Sequence, residues 1–186
     1  MSTTKKTIGW GKPTIYYRKT TETNFKKAPD IAEGTTQVNS SIGDKLEAKV
    51  EGGEVEAVKY KAGTSELVYG YRVAAETTRH IPHVNGIVAD EYAIVVVPEN
   101  ESAPGLYIEA SSVTVEDSFS ADDGFFVTYS HASIAGTSGS ALKYGVMTVT
   151  SLTGANAGQY TISAKGWDFD SDTALQGPAQ QTQGSS

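Results

Sequence analysis

Three aspartates near the C-terminus have the spacing of a metal-binding loop. Asp168, Asp170 and Asp172 occupy the first, third and fifth positions of a calcium loop. Thr173 stands where that loop needs glycine for its sharp turn, and Ala179 stands where it needs a bidentate glutamate. Because two of the features that hold calcium are missing, we expect no metal site here.

Two histidines, His80 and His83, could also supply metal ligands together with Glu76. Pro82 lies between them and interrupts any helix that would align the two imidazoles. The chain contains no cysteine, so no thiolate ligand or cysteine nucleophile is available. We interpret these residues as loop histidines near a turn and predict neither a metal nor a cofactor.

Hydrolytic chemistry has little support in the sequence. Residues 136–140 read Gly-Thr-Ser-Gly-Ser, which lacks the final glycine of a nucleophile elbow and follows no apolar strand. The carboxylate pairs Glu116 with Asp117 and Asp122 with Asp123 could be an acid and a base for glycoside hydrolysis, but sequence neighbours in a turn are usually solvated. The sequence therefore predicts a protein without catalytic residues, and a small carbohydrate-active β-sandwich is the least favoured alternative.

Charge and hydropathy limit the partners. With 15 basic and 22 acidic residues, the net charge is −7 and the pI is near 4.9, which argues against an electrostatic grip on nucleic acid. No apolar stretch approaches the roughly 18 residues that cross a bilayer. The polar N-terminus leads to Ile8 and Trp10 without the apolar core of a signal peptide. We expect no membrane contact.

The elements that must position these residues are strands. Nine segments bounded by Gly, Pro, Asn, Asp and Ser have strand composition: 14–18, 45–51, 66–74, 92–97, 106–109, 112–116, 125–131, 145–150 and 159–165. Residues 85–92 could form a turn or two of helix, and residues 135–140 should be a loop. This pattern predicts a mainly β protein, an antiparallel sandwich or barrel with at most one or two short helices.

The domain organisation follows from the same pattern. We expect one β-sandwich domain over residues 1–175, in which the strands after about residue 150 are either integral or an added hairpin. From residue 176 the chain reads Gln-Gly-Pro-Ala-Gln-Gln-Thr-Gln-Gly-Ser-Ser, which has almost nothing to bury. Residues 176–186 are therefore predicted to be a disordered tail.

The most regular charge pattern lies in the segment from Lys45 to Glu51. Because side chains alternate along a strand, its charged residues share one face and its apolar residues share the other, which predicts one wet face and one buried face. The charged set is Lys45, Glu47, Lys49 and Glu51, and the apolar set is Leu46, Ala48 and Val50. Gly52 and Gly53 then break the strand before a second apolar run. A solvated strand of any β-sandwich has the same pattern.

The order of these features resembles the tail tube proteins of long-tailed bacteriophages and prophages. The resemblance runs from about residue 8 to about residue 150. It is carried by Ile-Gly-Trp-Gly-Lys-Pro at 8–13, Ile-Ala-Glu-Gly-Thr-Thr at 31–36, the stretch 43–53, the strand 66–73, and a late hairpin at 112–117 and 123–129.

The resemblance implies a β-sandwich subunit that self-assembles into stacked, hexameric rings, forming a tube in the virion tail through which DNA passes without specific binding. The subunit would be in the host cytoplasm before assembly and would contact other tail proteins. It also implies that residues 42–60 form a long loop or hairpin arm that orders on a neighbouring copy. The candidate contact residues are Lys45, Leu46, Glu47, Lys49, Val50, Glu51, Gly52, Gly53, Glu54, Val55, Glu56 and Val58.

A second resemblance leaves another function open. The run Ala-Gly-Gln-Tyr-Thr-Ile at 157–162 lies beyond the matched region and looks like the penultimate strand of immunoglobulin-like domains, in which a tyrosine corner precedes the last hairpin. The second cysteine of those domains is missing. The alternative is therefore an immunoglobulin-like binding or adhesion module.

Overall fold

A computed structural model describes residues 11–61, 63–74, 79–122, 124–134 and 142–178. These residues form twelve strands and one short 3-10 turn, Gly154–Asn156, and the strands pair antiparallel throughout. The strands are β1 Thr14–Lys19, β2 Phe25–Lys27, β3 Gln37–Ser41, β4 Lys45–Lys49, β5 Val55–Tyr60, β6 Thr64–Arg72, β7 Tyr92–Val97, β8 Gly105–Ser120, β9 Gly124–Ser133, β10 Leu142–Ser151, β11 Gln159–Gly166 and β12 Phe169–Ala174. The prediction of a mainly β, antiparallel fold is confirmed.

Six of the strands close into a barrel. β1 pairs with β7 on one side and with β2 on the other, and β7 pairs with the start of β8. The first residues of β10 pair with the same part of β8, the rest of β10 pairs with β11, and β11 returns to β2. The strand that follows residue 151 is thus a wall of the barrel.

Two glycines face each other where β10 meets β8. A Cβ atom on Gly105 would lie 2.4 Å from the carbonyl oxygen of Val96 and 2.8 Å from Cγ of Met147. A Cβ atom on its partner Gly145 would lie 2.6 Å from a ring carbon of Phe169. The barrel closes at this point because neither residue has a side chain.

The second half of β8 leaves the barrel and begins another sheet. It pairs with β9, β9 pairs with β6, and β6 pairs with β3 at the edge. The segments 106–109 and 112–116, which the sequence predicts as two strands, are therefore one strand of 16 residues. Its length lets one element serve both sheets.

All six residues of β7 are buried because the strand separates two cores. Ala93, Val95 and Val97 pack with Phe25, Met147 and Ile162 in one core, which we call the barrel core. Tyr92, Ile94 and Val96 pack with the residues of β6 and β9 in the other, which we call the tyrosine core. This explains why the segment is continuously apolar instead of alternating.

Residues 85–92, which could have formed a turn or two of helix, form none. Val84 and Ile87 exchange backbone hydrogen bonds of 3.0 Å around a two-residue turn, and Asn85 and Gly86 have φ of 51° and 80°. An Asn-Gly pair favours this tight turn, since both central residues need positive φ. The residues that follow lead directly into β7 at Tyr92.

The chain after β12 is held against the barrel. The side-chain amide of Gln176 donates to the carbonyl of Ile162 at 3.1 Å, and the backbone amide of Gly177 donates to the carbonyl of Thr23 at 3.0 Å. The hydroxyl of Thr23 donates to the carbonyl of Pro178 at 2.9 Å. The sequence places the start of a disordered tail at these residues, and the rest of that tail, 179–186, lies outside the described residues.

Candidate assembly surface

A two-stranded ribbon extends from the edge of the second sheet. β4 and β5 pair with each other in a separate sheet, while β3 and β6 on either side of them pair at the edge of the main sheet. At the base, the amide of Lys61 donates to the carbonyl of Asp44 at 2.9 Å, and their side chains form an ion pair of 2.9 Å. We call residues 42–60 the ribbon.

The tip of the ribbon is a turn that requires its two glycines. Gly52 and Gly53 have φ of 105° and 86°, in the region that L side chains rarely adopt. Hydrogen bonds of 3.0 Å join the amide of Gly53 to the carbonyl of Val50, and the amide of Val50 to the carbonyl of Glu54. Glu51 lies in the turn, so the sequence located this break correctly.

The pairing register distributes apolar side chains over both faces of the ribbon. On one face, Tyr60 lies opposite Lys45 and Val58 lies opposite Glu47. Glu56 is then an extra residue without a partner, a β-bulge, so that Val55 lies opposite Lys49. Residues directly opposite each other share a face, so this face mixes charged and apolar groups. The other face holds Leu46, Ala48 and Val50 from the first strand with Ala57 and Lys59 from the second.

The expected buried face of the ribbon is absent. Every residue of β4 and β5 is exposed. Leu46 and Val50 are 49% and 43% exposed, and Val55 and Val58 on the opposite face are 47% and 48% exposed. The alternation within β4 was predicted correctly, but no other described residue covers either face.

The charged residues of β4 interact with each other along the strand. Glu47 forms ion pairs with both Lys45 and Lys49, and the second of these measures 3.7 Å. Exposed pairs of this kind contribute under about 1 kcal/mol, so the apolar side chains carry most of the binding capacity of this surface.

Within the main sheet, as far as the structure describes it, two strands present free edges. β3 pairs only with β6, and β12 pairs only with β11. The edge β3 reads Gln-Val-Asn-Ser-Ser and carries neither charge nor proline, the usual devices that block pairing with another chain. Its hydroxyls pair with those of β6 instead, through Ser41 to Thr64 at 2.8 Å and Ser40 to Ser65 at 3.2 Å.

Elsewhere, His80 and His131 lie in a chain of hydrogen bonds inside the tyrosine core. His80 Nε2 is 2.8 Å from the Tyr69 hydroxyl, and His80 Nδ1 is 3.2 Å from the Tyr71 hydroxyl. His131 Nε2 is 3.3 Å from the same Tyr69 hydroxyl. His131 Nδ1 is 2.9 Å from Oγ of Ser111, which donates to the carbonyl of Tyr92 at 2.8 Å.

One set of proton positions satisfies every link. Because Ser111 donates to a carbonyl, it accepts from Nδ1–H of His131, whose Nε2 then accepts from Tyr69. The Tyr69 oxygen in turn accepts from Nε2–H of His80, and His80 Nδ1 accepts from Tyr71. Both imidazoles are therefore neutral. Burial lowers the pKa of His80 to about 3, and burial followed by the proximity of His80 lowers the pKa of His131 to about 3.

This network was not found from the sequence. Its members lie on β6, β8, β9 and the loop before β7, so they are far apart in the chain. The alternation of Tyr69 with Tyr71, and of Tyr129 with His131, was an available signal, since it marks polar aromatic residues on one face of each strand. The network is enclosed by aromatic rings and serves the core.

The two histidines considered as metal ligands diverge. His80 packs among tyrosine rings, with centroids 4.5 Å from Tyr129 and 4.9 Å from Tyr17. His83 lies on the other side of the loop, where its Nδ1 accepts from the amide of Gly86 at 3.0 Å. Glu76 lies outside the described residues, and no group of three potential metal ligands occurs within them.

The acidic candidates are occupied by structural roles. Arg79 donates two hydrogen bonds to Asp117, of 2.7 and 2.6 Å, and this contact lowers the pKa of the Asp117 carboxyl. Asp168 accepts from the amide of Tyr144 at 2.8 Å, while Asp170 and Asp172 lie on strand β12 instead of curling around an ion. Asp123 and residues 136–140 lie outside the described residues.

The part of the chain that the structure describes contains no helix that could span a membrane. In comparisons with known proteins, no protein-family model matches the chain, and no curated protein matches it.

Proposed function

We propose that the chain is a structural subunit that self-assembles through the ribbon into stacked rings, most simply hexameric, which form a phage-type tail tube for DNA passage. The ribbon carries this proposal. Of the ten exposed large hydrophobic side chains in the described residues, six lie in it: Ile42, Leu46, Val50, Val55, Val58 and Tyr60. A two-stranded hairpin alone is marginally stable in water, so a partner surface is the physical reason for such a sequence.

The free edges supply a route to a closed ring. β3 and β12 are different strands, so pairing between them in adjacent copies is a heterologous contact. Heterologous contacts produce rings when the rotation closes and filaments when it does not. Edge pairing of this kind would join copies laterally, while the ribbon would contact copies beyond the ring.

The charge of the chain fits a passage for DNA. The net charge of −7 repels phosphate, so DNA would move along such a wall without being held. In this function the chain needs no catalytic residue and no cofactor. Its partners are copies of itself and other tail proteins, first in the host cytoplasm and then in the virion tail.

The alternative is an immunoglobulin-like binding or adhesion module. Exposed aromatic side chains at hairpin tips favour it, since Trp167 is 72% exposed and Phe119 is 80% exposed. Aromatic anchors on loops are typical of binding surfaces. In that function a monomer would be complete, and the ribbon would not drive association between copies.

Removing the ribbon separates the two functions. We expect the wild-type protein to associate over a roughly hundredfold concentration range in sedimentation velocity, because obligate assembly follows mass action. Replacing residues 46–58 with a short Gly and Ser linker should leave a folded, monomeric protein whose circular dichroism loses only the strand signal of β4 and β5.

The matched control replaces exposed apolar residues outside the ribbon. Val84 and Ile87 are 76% and 68% exposed, and the V84S/I87S variant should assemble like the wild type. Assembly of the deletion variant would contradict the proposal. A strictly monomeric wild type would favour the binding module.

A further inference from the structure

We infer that each ribbon is held between two other copies of the chain at once, one against each of its faces. This inference rests on the proposed function and specifies the partners of the same surface. It would fail on its own if the ribbon drives assembly through one face only.

The first face of the ribbon is apolar at three positions on β5. Val55 and Val58 are 47% and 48% exposed, and Tyr60 is 55% exposed. The charged residues beside them on β4 are Lys45, Glu47 and Lys49, and Glu47 pairs with both lysines. Glu47 balances only one of the two lysines. The other lysine can keep its ammonium group in water while its stem lies along an apolar surface, so the face can still be covered.

The second face is apolar mainly on β4. Leu46 and Val50 are 49% and 43% exposed, and Ala48 and Ala57 lie opposite each other between them. The register places the charged residue Lys59 on this face, opposite Leu46. A long lysine stem lies along apolar surface while its ammonium group reaches water, so this face can also be covered.

The bulge at Glu56 adds a large apolar side chain to the first face of the ribbon. Without it, Lys49 would pair with Glu56, and Val55 would lie on the second face with Leu46 and Val50. The bulge moves Val55 to the first face, beside Val58. A ribbon that lies flat on one neighbour gains no apolar contact from this change. A ribbon inserted between two surfaces gains contact on its first face.

The described residues of one copy form no slot that would cover both faces of the ribbon. Surfaces that cover the opposite faces of a sheet are separated by about 20 Å, because each packs about 10 Å from it. The cavity beside Arg18 and Phe169 holds ≈ 490 Å³, which is the volume of a small-molecule pocket and not of a slot for a two-stranded ribbon. A junction between two adjacent copies supplies two facing surfaces, and every ring contains one such junction for each subunit.

Face-selective substitutions test the inference. One variant carries V55S and V58S on the first face, and the other carries L46S and V50S on the second face. We expect each to raise the concentration for half-assembly at least tenfold, with V84S/I87S as the unchanged control. An effect confined to one face would overturn the inference and leave the proposed function standing. No effect from either face would overturn both.

Crosslinking counts the partners directly. The chain has no cysteine, so V58C and L46C introduce unique attachment points on the two faces for a photoactivated maleimide. The L46C/V58C double variant, diluted into excess unlabelled protein and illuminated, should give a covalent trimer of one labelled chain and two unlabelled chains. Each single variant should give dimers only. Dimers without trimers from the double variant, at full labelling, would overturn the inference.

Discussion

Mild acid should destabilise the fold through the two buried histidines. His80 and His131 have pKa values lowered to about 3, against an ordinary value near 6.5. The unfolded chain therefore binds protons below about pH 6.5 that the folded chain does not take up until about pH 3. The stability that the two neutral histidines contribute is fully present above about pH 6.5. It is lost as the pH falls through the window from about 6.5 to about 3.

The expected loss in the free energy of unfolding follows from the lowered pKa values of the two histidines. Each histidine loses about 1.4 kcal/mol of stability per pH unit inside the window. Between about pH 7.5 and about pH 5 the loss is about 2 kcal/mol for each histidine, and about 4 kcal/mol for both. This is a large part of the total stability of a typical domain. The cause is specific, because an added proton on either ring would face a group that already donates to it.

The assay is urea unfolding at several pH values and one low protein concentration. The variants H80Q and H131Q each remove one titrating ring, so each should halve the stability difference between the two pH values, whatever its cost at neutral pH. The matched control is V95A in the barrel core, where Val95 is fully buried. It should lower the free energy of unfolding at both pH values and keep the full difference.

The reasoning would be refuted by a wild-type difference below about 1 kcal/mol over this range, since even one such histidine predicts more. Retention of the full difference in both glutamine variants would also refute it. The shifts at Glu22 and Asp117 do not interfere. Their carboxyl pKa values are lowered from ordinary values of 4.5 and 3.8, which already lie below the lower pH of the assay.

Three further substitutions test the fold. Trp167 has φ of 55° in an exposed turn, a backbone conformation that strains any residue except glycine. W167G should therefore stabilise the protein by about 1 kcal/mol in urea unfolding, and a loss of stability would contradict this account of the strain. G105A places a Cβ atom 2.4 Å from a carbonyl oxygen and should cost about 1–3 kcal/mol; an unchanged unfolding midpoint would contradict barrel closure there. R18M removes a guanidinium that donates to four backbone carbonyls, one of them that of Leu175, and should cost about 2 kcal/mol. It should also speed amide hydrogen exchange at Leu175 and Gly177, whose amides donate to backbone carbonyls. Unchanged exchange there would show that Arg18 does not hold the end of the chain.

The sequence predicted elements whose signal is local. β7 was recognisable because six consecutive apolar residues can be buried on both sides of a sheet. The turn of the ribbon was recognisable because Gly52 and Gly53 interrupt a regular alternation. In contrast, β2 has only three residues, and the alternating aspartates of β12 resembled metal ligands more than an edge strand.

Features that depend on pairing could not be predicted. The bulge at Glu56 exists only relative to β4, yet it decides which face Val55 occupies. The hydrogen-bonded chain depends on Ser111 and His131 coming together from different strands, 20 residues apart in sequence. The closure of the barrel depends on Gly105 facing Gly145, which no local pattern shows.

Negative-stain electron microscopy of the concentrated wild-type protein tests the central claim most directly. The account predicts rings of uniform diameter with a central channel, which stack into tubes as the concentration rises. The deletion of residues 46–58, imaged beside it, should show single particles. A field of uniform monomers at the highest soluble concentration of the wild type would contradict self-assembly as the function of this chain.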